Sequence, residues 1–129
     1  MVPSLRERGE KRLLELTVAP EPAQLAPTRH LVAEELHGLG RSEGHIWRVS
    51  TVASELLTIS ISQGCDAPAV LRLDVRPEAT RIELVDTLDH LPAFDSPSGR
   101  LVTRIASIWG VVRDAGRTRT IWCDIDVSG

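Results

Sequence analysis

Four short segments hold the side chains that could do chemistry: Ser54-Glu55-Leu56-Leu57-Thr58, Asp86-Thr87, Ser98-Gly99-Arg100-Leu101 and Arg119-Thr120-Ile121-Trp122. Glu55 is a carboxylate in a helical stretch, where a solvated residue has the same appearance. Asp86 ends a strand, where a carboxylate can also cap a turn. Gly99 and Arg100 stand where a helix begins. Backbone N–H groups can bind phosphate there, but one glycine equally serves an ordinary helix start. Trp109 and Trp122 read as packing residues. Asp86 and Asp89 could pair as acids, although their place beside a loop explains them as well. Other chemistries find no support. His30, His37, His45 and His90 lack zinc-ligand spacing, and Cys65 and Cys123 lie far apart, so no metal site is expected. No Gly-x-Ser-x-Gly elbow is present for a serine hydrolase.

The composition narrows the field further. A net charge of −3 argues against nucleic acid as a direct partner, which calls for a basic face. The chain has no tyrosine and a single phenylalanine, Phe94, leaving few rings for stacking on bases. No apolar run reaches the ~18–20 residues of a membrane span. Met1 to Arg12 is charged and lacks the apolar segment of a secretory signal. Two cysteines make no disulfide framework, so a cytoplasmic location is expected. At 129 residues the chain reads as one domain, residues 13–129, behind a charged tail at 1–12.

The elements that must position these residues follow from periodicity. Leu14, Leu16 and Val18 alternate as on one face of a strand, which Pro20 and Pro22 end. Residues 23–37 have helical spacing of apolar positions, with Pro27 suited to a first turn. Ser42 can cap a second helix over 43–63, closed by Gly64. Its end, Thr58 to Ser62, is β-branched and serine-rich, so packing must hold it. Leu71, Leu73 and Val75 alternate, as do Ile82 and Leu84, around a turn at residues 77–80. A loop runs over 88–98, then a helix is predicted over 100–109. Strands at 110–113 and 118–127 form a hairpin, with Ile121, Cys123, Ile125 and Val127 on one face. The sum is an α/β (α+β) two-layer sandwich, a mainly antiparallel sheet with helices on one face. The other face, with Arg72, Asp74 and Asp124, can meet water.

In this order and at these separations, the four segments resemble the histidine-kinase-like (GHKL, Bergerat-type) ATPase fold. More closely they resemble the bacterial anti-sigma factor serine kinases. The resemblance spans roughly residues 15–127. It implies that Glu55 is the catalytic general base toward a substrate hydroxyl, and that Asp86 accepts a hydrogen bond from the adenine amino group. It places Gly99 and Arg100 in the phosphate loop and Thr120 near adenine. Three positions depart from the family pattern. Ile59 stands where an asparagine helps hold magnesium. It shares a helical face with Glu55, four residues earlier, and has no oxygen to offer a cation that takes oxygen ligands. Leu88 replaces a small residue beside the adenine site, and one glycine of the phosphate loop remains.

The resemblance therefore implies a transcription regulator that binds a sigma factor or an anti-anti-sigma protein, with ATP and magnesium binding weak or absent. The alternative is an active ATP-dependent serine/threonine protein kinase acting on such an antagonist. Loss of the metal-side ligand should harm phosphoryl transfer more than base recognition. A homodimer is expected by the same resemblance, with the first strand and first helix contributing. If the pocket is otherwise intact, Ile59→Asn should restore magnesium-dependent affinity. No response would point to a pocket closed by other means, such as Leu88.

Overall fold

The computed structural model describes residues 4–8, 11–114 and 117–128. Six strands form one antiparallel sheet: β1 (Ser4–Arg8), β2 (Lys11–Val18), β3 (Ala69–Val75), β4 (Ala79–Asp86), β5 (Ile108–Asp114) and β6 (Thr118–Asp126), in the spatial order β1-β2-β3-β4-β6-β5. Three helices, α1 (Leu25–Gly38), α2 (Glu43–Ser62) and α3 (Pro97–Ile105), complete the α+β architecture. Among the described residues no helix is long and apolar enough to cross a membrane.

Each helix carries its own start and stop signals. A short 3₁₀ turn, Pro22–Gln24, leads into α1. Pro27 sits in its first turn, where a backbone N–H would have no helical partner anyway. The Ser42 hydroxyl accepts from the His45 N–H and caps α2. Both helices end in the same way. Gly40 and Gly64 have positive φ of 74° and 90°. The N–H groups of Arg41 and Cys65 reach back to the carbonyls of Leu36 and Ser60, closing a Schellman motif at each end. The weak last turns of α2 are held by burial, since Leu56, Leu57, Ile59 and Ser60 are all inside.

Alternation decides which strand residues meet the helices. Leu14, Leu16, Leu71, Leu73, Ile82, Leu84, Ile121 and Ile125 face Val32, Leu36, Val49, Ala53 and Leu56 in one core. Each fully buried aliphatic side chain contributes about 1.5–3 kcal/mol relative to exposure. Cys123 lies in the same layer, and burial, with a smaller push from Asp124, drives its thiol up to about 12. The other face carries charge in rows that run across the strands. Arg72 bonds Glu15 at 2.8 Å and lies 3.7 Å from Glu83. Arg81 grips Asp124 through two bonds of 2.7 and 2.8 Å and stacks on the Trp122 ring at 4.6 Å. That hydrogen bonding lowers the Asp124 carboxyl and raises the Arg81 guanidinium.

Two segments differ from the sequence expectation. Part of the segment read as a tail at 1–12 is a strand: Ser4–Arg8 pairs with β2, Arg6 opposite Leu13 and Glu7 opposite Arg12. Alternating charge suggests a solvated tail, but it also suits a sheet edge, where charge discourages further pairing. Residues 1–3 and 9–10 lie outside the described residues. The helix predicted over 100–109 is Pro97–Ile105 instead, and Trp109 belongs to β5. Ser96 caps this helix and Pro97 takes its first position. Pairing of Ile108–Asp114 with β6 then claims the apolar residues that helical spacing alone assigns to the helix.

His45 ties α2 to the sheet. It is fully buried, with Nε2 2.8 Å from Thr80 Oγ1 and Nδ1 3.2 Å from the Asp126 carbonyl. A carbonyl only accepts, so Nδ1 carries the proton and Nε2 accepts from the threonine. Burial, reinforced by Arg48 and Arg41, lowers the His45 pKa from 6.5. The neutral form is thus the folded form. Its contribution is complete above the unfolded value of 6.5 and is lost as pH falls through the lower folded value. Urea denaturation should show stability declining from pH 7.5 to pH 5, and His45→Gln should flatten that slope.

Candidate functional site

Asp86 is the last residue of β4 and Arg119 the second of β6, and the sheet register sets them opposite each other. Both stand in phase with core residues, Asp86 with Ile82 and Leu84, Arg119 with Ile121 and Cys123. Alternation therefore aims both charged side chains at the helix layer, and both are 0% exposed. They meet as a two-pronged ion pair, Arg119 Nε to Asp86 Oδ1 at 3.0 Å and Nη2 to Oδ2 at 2.7 Å. This matches the fork geometry in which guanidinium and carboxylate bind most strongly.

The rest of the cluster fills the remaining acceptor sites of Asp86 and engages Nη1 of Arg119. The Ser60 hydroxyl on α2 donates to Asp86 Oδ2 at 2.5 Å, and the Leu88 N–H donates to Oδ1 at 3.2 Å. A carboxylate offers about four acceptor sites, and four donors now fill them. Arg119 Nη1 donates to Gln63 Oε1 and to the His90 carbonyl, each at 2.9 Å. Gln63 Nε2 in turn donates to the Leu91 carbonyl at 2.9 Å. The cluster thus binds β4, β6, the end of α2 and the segment after β4 into one unit. A purine amino group would find no acceptor left on Asp86 in this arrangement.

The other candidate residues are placed apart from it. Glu55 is half-buried on α2 and makes no hydrogen bond or ion pair among the described residues. Its neighbour Ser54 accepts from Arg29 Nη1 at 2.9 Å. Ile59 is 1% exposed and belongs to the apolar core, so its branch fills the interior rather than facing a solvated cavity. Gly99 is needed for close packing: a Cβ there would lie 2.4 Å from the Ala93 carbonyl oxygen and the Phe94 Cα. Its N–H donates to the Ser96 hydroxyl and that of Arg100 to the Ser96 carbonyl, which occupies two donors a phosphate would use. The exposed Arg100 side chain bonds the Asp95 carbonyl at 2.9 Å. Thr120 lies on the opposite face of the sheet from Asp86, in the row of Val85 and Val112. The structure therefore does not bring Asp86 and Thr120 to one side. Leu88 is half-buried and enters the cluster through its backbone.

Sequence reasoning named Asp86 and quoted Arg119 as part of the last segment, but did not pair the two and gave Ser60 and Gln63 no part in a site. A signal was present. Arg119 is two residues before Ile121, in phase with the apolar face of a strand whose polar residues occupy the alternate positions. An arginine at such a position calls for a buried carboxylate, and the strand paired with β6 supplies one. Ser60 and Gln63, three apart near the end of α2, share a helical face. Among the described residues, no group of three histidine, cysteine, aspartate or glutamate side chains is arranged to hold a metal ion. In comparison with known proteins, the chain matches no family model and no characterised protein sequence.

Proposed function

We propose that the chain is a protein-binding regulator on a histidine-kinase-like ATPase scaffold, of the anti-sigma type, that works without nucleotide. The element sequence from β2 to β6 supports the scaffold, with two helices between β2 and β3 and one between β4 and β5. The observation that carries the loss of nucleotide is the Arg119 guanidinium on Asp86. In the family the resemblance points to, that carboxylate reads adenine. Here an internal cation holds it, so adenine recognition would require breaking a buried ion pair. The phosphate side is closed in kind, because Gly99 and Arg100 spend their N–H groups on Ser96. The residues present do not fit ATP and magnesium. What remains for such a scaffold is to hold a protein, a sigma factor or an anti-anti-sigma partner.

The kinase alternative rests on Glu55, whose half-exposed carboxylate has no partner among the described residues. Both readings meet in one experiment. The chain is immobilised and candidate sigma factors and anti-anti-sigma proteins are passed over it with and without ATP and magnesium. Parallel samples receive ATP labelled on the γ-phosphate. Binding that nucleotide leaves unchanged, with no labelled partner, is the expected result. Label transferred to a partner serine would replace this reading with the kinase. Failure of every such protein to bind would overturn the anti-sigma assignment.

A further inference from the structure

β5 is the last strand of the sheet, and among the described residues nothing pairs with its outer edge. Its apolar side chains are open to solvent: Ile108 is 56%, Trp109 40% and Val112 54% exposed. Natural sheet edges usually block further pairing with charge, proline or a bulge. From Ile108 to Val112 this strand has neither charge nor proline, and its ladder to β6 runs residue for residue without a bulge.

We propose that β5 pairs antiparallel with β5 of a second copy about a two-fold axis at Val111, joining the two sheets into one. The strand is self-complementary in that register. Trp109 of each copy falls opposite Arg113 of the other, which sets a guanidinium beside an indole at each of two places. Val111 meets its own copy between them. On the other face, Val112 of each copy falls opposite Gly110 of the other. A Cβ at Gly110 would lie 2.7 Å from the Trp122 ring, so the indole covers the glycine. The incoming valine thereby finds an aromatic surface at the edge, where a larger residue would displace the ring. Ile108 and Asp114 face each other at the two margins. A two-fold axis repeats each contact and leaves no free β5 edge. This reciprocity within one seven-residue strand favours a second copy over a foreign strand. The contact lies on the opposite side of the sheet from β1 and β2, where the family resemblance places dimerisation. It does not depend on the proposed partner function.

Sedimentation velocity of the full chain over a rising concentration series tests the proposal. The native chain should shift from 14.2 kDa to twice that mass. Val112→Glu, which sets a carboxylate against the indole face of the other copy, should associate at least about 10-fold more weakly. Val112→Thr should behave as the native chain does. Amide hydrogen exchange on the native chain gives a readout without substitution, and the β5 amides should become protected as concentration rises. A native chain that stays monomeric, a dimer unaffected by Val112→Glu, or β5 exchange independent of concentration would each overturn the proposal.

Discussion

Replacing Arg119 by methionine is expected to destabilise the fold by about 3–5 kcal/mol, because it leaves the Asp86 carboxylate buried without its cation. For a chain of this size that corresponds to a fall in melting temperature of roughly 10–25 °C. The penalty belongs to the stranded charge more than to the pair. The double variant Arg119→Met, Asp86→Leu should therefore recover most of the loss, since apolar residues of similar volume often replace a buried ion pair without harm. Arg119→Lys should fall between. An ammonium cannot hold both carboxylate oxygens and the Gln63 and His90 acceptors in one plane. Urea denaturation of the four proteins measures the series. If Arg119→Met were as stable as the native chain, the guanidinium would not be holding these elements together.

Ile59→Asn carries the second large effect, and it reverses a sequence-based expectation. If an open pocket lacked only an amide oxygen, this change would restore magnesium-dependent nucleotide affinity. Ile59 lies in the core, so the change removes buried methyl groups and puts an amide among aliphatic side chains. The expected cost is about 3–5 kcal/mol, from lost burial and unmet hydrogen bonds together. No nucleotide affinity should appear, because Asp86 remains bound to Arg119. Thermal denaturation with and without ATP and magnesium reports both outcomes. A native-like melting temperature that rises further with nucleotide would mean that position 59 faces a pocket.

The fold was legible wherever a pattern is local. The alternation of Leu71, Leu73 and Val75, the Ser42 cap and the glycine stop at Gly64 all act within a few residues, and all appear in the structure. The boundary between α3 and β5 was not legible from apolar spacing. Leu101, Ile105 and Ile108 fit one helical stripe, and only pairing with β6 moves Ile108 into a strand. The candidate site divides in the same way. Asp86 announces itself as an acid at a strand end. Its partner is 33 residues further on, and their meeting depends on the register between β4 and β6. The register also decides that Arg119, not Thr120, turns toward Asp86. The parity that points Ile121 inward points Arg119 inward too, so the partner could have been read once the two strands were taken as neighbours.

Titration calorimetry of the native chain with ATP and magnesium shows whether the Arg119 ion pair closes the Asp86 carboxylate to a ligand. No saturable heat is expected up to millimolar nucleotide. A saturating micromolar isotherm that disappears in Asp86→Asn would contradict that closure, because that carboxylate would then be receiving a ligand the ion pair should exclude.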